Sequence, residues 1–370
     1  MKQLIFLLLL LLLSASAGAQ YPYPPSRTVD STDTYWGITV KDPYRWMEKI
    51  RDPEVQDWFK SQGDFTNRVL EKIPGRDMLF QRIKAIADAE GDQYSPPYLH
   101  GNAWYVSKTL KGETFGKLYK RDAQTGKETL FFDGQAYKKG SQLLNYKINR
   151  QGDLMALMLR DEGSELCEII FMNPVDQSIL PDKLYPVWSE FDFDFLADGK
   201  SLIYTRMSTS DLDSEQLTKN MEATLHTLGT KPEDDIVLAS SQHTPDIGLL
   251  PERFPLLTLS DDDQYIFLGI VSVKDSYPVF YIPAAEARSG SIHWKPLIRE
   301  EDEVTGFYTF GDQLFFCSHK NAPHFKIGVT SLKNPDFDRA RILAAYPDKT
   351  ISAMQATRNF IVFSLSDGIT

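Results

Sequence analysis

The pattern of apolar and polar positions changes character twice along the chain. Leu4 to Leu13 is one unbroken apolar run, and Gln20 to Val40, rich in Tyr, Pro, Ser and Thr, reads as extended surface chain. Asp52-Pro53-Glu54 then opens a helix: Asp52 caps free amides, Pro53 suits the first turn and Glu54 complements the helix dipole. Apolar residues at Val55, Trp58, Phe59, Phe65, Val69, Leu70 and Ile73 follow three-to-four spacing, interrupted by Gly63 and ended by Pro74-Gly75. A second helix carries Leu79, Phe80, Ile83 and Ile86 and stops before Gly91. Two such helices cannot bury their stripes alone, so they are expected to pack on something larger.

From about residue 95 the period shortens to that of strands. Short apolar runs, each entered through a tight polar turn, recur: Gly101-Asn102 before Ala103–Val106, Gly152-Asp153 before Leu154–Leu159, Gly199-Lys200 before Ser201–Tyr204. Asp262-Asp263 before Tyr265–Leu268, Gly311-Asp312 before Leu314–Cys317 and Arg358-Asn359 before Phe360–Phe363 continue the series. From Gly101 through Gly152, Gly199, Asp262, Gly311 and Arg358 the steps are 51, 47, 63, 49 and 47 residues. The long third step contains the polar stretch Ser208 to Glu215, an exposed loop. Between successive turns lies a second strand–turn–strand segment, such as Lys117–Asp122 running through Thr125-Gly126-Lys127 into Thr129–Phe132. Two hairpins per period of about 50 residues make four strands per unit, which is the arithmetic of a β-propeller blade. A β-sandwich also spaces turns closely but does not require the double-hairpin period. The fold class expected is therefore mainly β, a β-propeller preceded by a short helical leader.

Composition narrows the function. The chain has 370 residues with 40 basic against 51 acidic, a net charge of -11. That balance argues against a nucleic-acid binder and against a polybasic membrane-surface protein. With 42% hydrophobic and 12% aromatic residues there is ample material for a packed core. Two cysteines exclude a disulfide scaffold, and Cys167 and Cys317, each inside an apolar strand-like run, are expected to be small hydrophobes rather than a pair. Met1-Lys2, the apolar run and Ala17-x-Ala19 together read as a signal peptide over residues 1–19, too short to span a bilayer. An exported, periplasmic or secreted protein is expected.

Catalytic signatures are absent from the sequence. There is no Gly-x-Ser-x-Gly, and Glu162-Gly163-Ser164-Glu165 lacks the second glycine. No His-Glu-x-x-His, P-loop or Gly-x-Gly-x-x-Gly occurs, and no metal or cofactor is implied. His319 and His324, five apart with no nearby carboxylate, read as surface or strand residues. Asp192, Asp194 and Asp198 resemble a calcium ladder, yet Phe191, Phe193 and Phe195 alternate with them. Period two describes a strand with an aromatic and an acidic face.

Tyr35-Trp36-Gly37, Asp42-Pro43-Tyr44-Arg45-Trp46-Met47-Glu48 and Leu70-Glu71-Lys72-Ile73-Pro74 resemble the start of prolyl oligopeptidase-family serine peptidases. Leu196-Ala197-Asp198-Gly199-Lys200, Leu225-His226-Thr227-Leu228-Gly229-Thr230 and Leu259-Ser260-Asp261-Asp262 continue the likeness in order, over essentially all of the chain after the signal peptide. The resemblance implies a seven-bladed propeller lid on an α/β-hydrolase domain whose Ser-Asp-His triad follows the propeller. No catalytic residue is then expected in this chain. The whole enzyme would hydrolyse short peptides, usually after proline, as a monomer and without a cofactor, with the propeller restricting access. Its helical leader would pack on the hydrolase half. Family residues beside the proline pocket fall at Glu190 or the adjacent Phe191, at Phe254 and at Lys274. Phe254 keeps the apolar character of that subsite; Glu190 and Lys274 depart from it.

The domain reading is 1–19 signal peptide, 20–92 helical leader and 93–370 propeller. Six units begin, the sixth stopping inside its middle hairpin, so about five and a half blades and a chain cut before its catalytic half are expected. Partners would be an oligopeptide and that C-terminal domain, with no nucleic acid and no membrane after signal cleavage. An oligopeptidase cutting after Arg or Lys shares this architecture. A free peptide-binding propeller is the reading from another class, and it leaves the stripe around Trp58 and Phe65 without a partner.

Overall fold

The computed structural model describes residues 21–212, 214–357 and 359–368; the expected signal peptide and the turn residue Arg358 lie outside the described residues. The chain divides into two compact units, Met1–Gly91 and Asp92–Thr370. In the first, Thr32–Tyr35 and Ile38–Lys41 form an antiparallel hairpin where the sequence suggested only extended chain. Its two-residue turn holds Trp36 and Gly37 at φ of 50° and 81°, the left-handed pair that closes a tight hairpin. The propensity of this stretch is weak, and the turn decides it.

Helix α1, Pro53–Leu70, runs unbroken through Gly63, and the Asp52 carboxylate accepts from the Glu54 amide at 2.9 Å, as the capping pattern required. The segment before it is strapped onto α1. The Trp58 indole N–H donates to Ser26 Oγ at 2.9 Å, the Gln62 amide to the Pro24 carbonyl at 2.9 Å, and Tyr23 packs on Phe65. Arg27 pairs with Glu54 at 2.6 Å and lies over the Trp46 ring. Val55 and Phe65 are buried, whereas Phe59, Leu70 and Ile73 are exposed. Helix α2, Arg76–Ala89, buries none of its residues; Leu79, Phe80, Ile83 and Ile86 all face solvent.

The second unit is a series of antiparallel sheets in chain order. Blade 1 contains Tyr98–His100, Ala103–Thr109, Lys117–Asp122 and Glu128–Phe132, with Gln93–Tyr94 also on its second strand. Blade 2 is Ser141–Ile148, Met155–Asp161, Leu166–Met172 and Ile179–Trp188. Blade 3 is Asp194–Phe195, Ser201–Arg206, Glu222–Thr227 and Ile236–Ala239, joined to blade 2 by the single pair Val187 and Arg206. Blade 4 is Phe254–Leu259, Tyr265–Val271, Val279–Pro283 and Lys295–Ile298. Blade 5 is Val304–Phe310, Gln313–Ser318, Lys326–Ser331 and Arg341–Ala345, and Thr350–Ala356 with Ile361–Ser366 make a further hairpin.

Period-two geometry explains why these strands are apolar throughout. Successive side chains point to opposite faces, so a sheet between two neighbours must be apolar on both. In blade 2, Met155, Leu157 and Leu159 pack with Tyr105, Leu118 and Phe131 of blade 1. The intervening Leu154, Ala156 and Met158 pack with Phe193, Leu202 and Tyr204 of blade 3. Ile203 and Leu225 of blade 3 meet Ile266 and Leu268 of blade 4, whose Phe267 turns to Leu314 and Phe316 of blade 5. Cys317 and Ile327 of blade 5 meet Ile351 of the final hairpin. Each sheet thus stacks on the next, the packing of a propeller. Cys167 and Cys317 sit in different seams as free thiols.

The turns between first and second strands share one device. The Asn149 side-chain oxygen accepts the amides of Gly152, Asp153 and Leu154. Asp198 accepts those of Lys200 and Ser201, and Ser260 Oγ those of Gln264 and Tyr265. A short polar side chain thereby satisfies the amides a tight turn leaves open.

Candidate functional site

The first strands of blades 1, 2, 3 and 4 converge on a cavity of about 760 Å³. Tyr98 and His100 reach it from blade 1, Tyr146, Lys147 and Arg150 from blade 2, Asp194 from blade 3, and Asp261 and Asp263 from the turn of blade 4. These positions recur because each repeat ends its first strand in the same polar turn. Lys147 Nζ lies 2.8 Å from Asp192 Oδ2 and 3.1 Å from Asp194 Oδ1, and the Asn145 amide donates to Asp192 at 2.8 Å. Arg150 reaches past blade 3 to Asp263 at 2.6 Å. The aromatic faces of Phe193 and Phe195 are buried behind Asp192 and Asp194, so the alternation read from the sequence describes real opposite faces.

Burial pushes the Asp194 carboxyl up to about 6; Lys147 opposes this and Asp192 adds to it. Asp261 and Asp263 are raised as well, chiefly by burial and then by neighbouring carboxylates, with Arg150 opposing at Asp263. Burial also pushes the Tyr146 phenol up to about 12. Its hydroxyl donates to the Tyr105 carbonyl at 3.3 Å. Ser260 Oγ is spent on Asp262 at 2.7 Å while accepting two amides, so it is no nucleophile. Ser240 and His243 lie 2.8 Å apart, but Ser240 is buried in a turn where its oxygen accepts the His243 amide. The arrangement can hold polar and charged groups; its described residues assemble no activated nucleophile.

The residues singled out from the sequence lie at the opposite end of these strands. Phe191 and Phe254 pack against each other with ring centroids 5.8 Å apart, in a cluster with Leu166, Met207 and Met221. Phe254 opens the first strand of blade 4 opposite Val271. Lys274 stands on the loop that follows Val271 and pairs with Glu300. Glu190 is exposed and contacts Ser189 rather than the phenylalanines. The structure therefore joins Phe191 with Phe254 and leaves Glu190 and Lys274 in solvent. Contrary to the sequence reading, the fold brings carboxylates to His319, Glu303 at 3.1 Å and Asp275 at 3.6 Å; His324 Nδ1 lies apart, 3.0 Å from Thr350 Oγ1. Sequence reasoning did not single out Lys147, Arg150 or Asp263. Their shared register at the ends of first strands was the signal available.

Stacked four-stranded blades around converging first strands define the chain as a β-propeller module. It belongs to the prolyl oligopeptidase family: the family's N-terminal β-propeller domain matches residues 24–370. The resemblance read from the leader and the blade turns is thereby borne out. The chain is 26% identical to a prolyl endopeptidase of Elizabethkingia meningoseptica, covering 94% of this chain and 48% of that protein. It is 23% identical to the dual function macrocyclase-peptidase POPB of Amanita bisporigera, covering 84% and 46%. The chain thus spans about half the length of the relatives it matches. Among solved structures, a prolyl endopeptidase superposes with a TM-score of 0.74 at 19% identity, over 93% of this chain and 49% of that one. Prolyl oligopeptidase B from Galerina marginata gives 0.73 at 18%, over 93% and 51%. The chain is the propeller portion of a prolyl oligopeptidase-like protein.

Proposed function

We propose that this propeller serves an exported serine peptidase that hydrolyses short peptides, typically after proline, and that it restricts access to a catalytic half lying beyond residue 370. The observation that carries the reading is the family match across residues 24–370. The names of the relatives, prolyl endopeptidases among them, give the reaction class. The exposed apolar residues Leu79, Phe80, Ile83 and Ile86 of α2, with Phe59 and Leu70 of α1, supply the surface for the hydrolase half. Residues 1–19 direct export. The Phe191–Phe254 contact favours Phe191 over Glu190 as the apolar wall beside the substrate, with Lys274 at its polar edge.

The test begins with the reading frame beyond Thr370, where a Gly-x-Ser-x-Gly motif is expected. The protein it encodes should cleave a proline-containing reporter peptide and lose that activity to a serine-directed inhibitor, while the 370-residue chain alone should not cleave it. A stop codon at once, or full activity in this chain, refutes the reading. In the longer enzyme, Phe191→Ala should lower kcat/KM about 10-fold for peptides with an apolar residue two positions before proline. Glu190→Ala should leave it unchanged.

A further inference from the structure

The charges at the cavity do not balance. Asp192, Asp194, Asp261 and Asp263 face two cations, Lys147 and Arg150, and Asp261 has no ion-pair partner among the described residues. The remaining titratable groups lining the cavity are His100 and Tyr98 from blade 1 and Tyr146 from blade 2. The two cations both stand on blade 2, while the carboxylates belong to the approach and first strand of blade 3 and to the turn of blade 4. These ion pairs are therefore ties between separate sheets, and one of them spans a whole blade. We propose that the mouth of this cavity is a clasp that protons tighten: carboxylates crowded between blades 2, 3 and 4 take up protons from solution as the first strands draw together, and release them as the mouth opens to water.

The sign follows from linkage. Closed, Asp194 and Asp263 are partly shielded from water and the four carboxylates outnumber their cations; open, water solvates each of them and separation relieves their repulsion. The closed form binds protons more tightly, so acid favours it. Asp194 stands at about 6 when closed, against about 3.9 for a hydrated aspartate. The preference for closure from this group is fully present below the lower value and is lost as pH rises through the upper one. Two units correspond to a ceiling of about 100-fold in the opening equilibrium. Asp261 and Asp263 act with the same sign. This inference does not rest on the peptidase reading.

Amide hydrogen exchange of the whole chain, corrected for the intrinsic pH dependence of exchange, tests it between about pH 5 and pH 8. Segments 143–150, 192–198 and 259–264 should exchange about 3- to 30-fold faster at the upper end, relative to the blade 5 strands Gln313–Ser318 and Lys326–Ser331. Asp194→Asn should keep the three segments slow at every pH. Lys147→Met should speed them at pH 8, because two carboxylates then lose their cation. Asp261→Asn, in an exposed turn, should reduce the pH dependence in the same direction should the Asp194 and Lys147 variants fold poorly. Equal exchange at both pH values, an equal change in blade 5, or undiminished pH dependence in the foldable asparagine variants overturns the clasp.

Discussion

The seam between blades 2 and 3 contains a polar network whose removal gives a sharp test of the packing argument. Asp235 accepts the Tyr204 hydroxyl at 2.7 Å on one oxygen and faces His226 Nδ1 at 2.7 Å on the other. Tyr204 and His226 are each 1% exposed, and the Asp235 side chain is fully buried. Burial, with Asp235 beside it, pushes the Tyr204 phenol upward, so it stays a donor throughout the accessible pH range. A carboxylate only accepts, so Nδ1 carries the proton it shares with Asp235. Asp235→Ala strands both donors where water cannot replace the lost acceptor. At about 1–3 kcal/mol for each of the two buried orphans, the cost should be about 2–6 kcal/mol. Tyr204→Phe leaves the histidine contact intact and should cost about 1–2 kcal/mol. Because the pair shares one bond, the double variant should fall short of the summed losses by about 1–2 kcal/mol. Urea unfolding followed by tryptophan fluorescence reads these differences as midpoint shifts at constant slope. Loss of less than about 1 kcal/mol in Asp235→Ala, or strict additivity in the cycle, would refute the claim that this network is dry and coupled.

Other consequences follow from the same seams. Gly328 stands opposite Phe316 on the neighbouring strand, and a methyl group there would run into a fully buried ring, so Gly328→Ala should lower stability by about 1–3 kcal/mol in urea titrations. Phe193→Ala, at a fully buried position in the blade 2–3 seam, should cost about 3–5 kcal/mol, whereas Leu130→Ala, half exposed on blade 1, should cost under about 1. Burial pushes the Cys167 thiol up to about 12 and raises Cys317 as well, so a thiol reagent at neutral pH should label neither cysteine until urea unfolds the chain.

The repeat was legible in the sequence because it rests on local chemistry. A tight turn needs a left-handed residue and a short polar cap, and Gly152 with Asn149, or Gly199 with Asp198, declares both within four residues. Runs such as Met155–Leu159 are apolar on both faces because a sheet between two sheets has no solvent side, so stacking is written into composition. The Asp52 cap of α1 and the family-like leader string were equally local. The hairpin around Trp36-Gly37 was not, because its strands are short and polar and only the turn geometry selects it.

The sites depended on distance through space. Phe191 and Phe254 are 63 residues apart in the chain, and only the stacking of blade 3 on blade 4 brings their rings into contact and turns Glu190 away. Lys147 and Arg150 of blade 2 meet Asp194 of blade 3 and Asp263 of blade 4, and no spacing rule says that cations on one repeat will meet carboxylates on the next two. Periodicity by itself determined which residues become strands and which faces are buried, since both follow from backbone geometry and solvent exclusion. Which charges share a cavity, and how far burial moves their protonation, were decided by the tertiary structure, because Coulomb interactions and desolvation depend on separations the linear sequence does not contain.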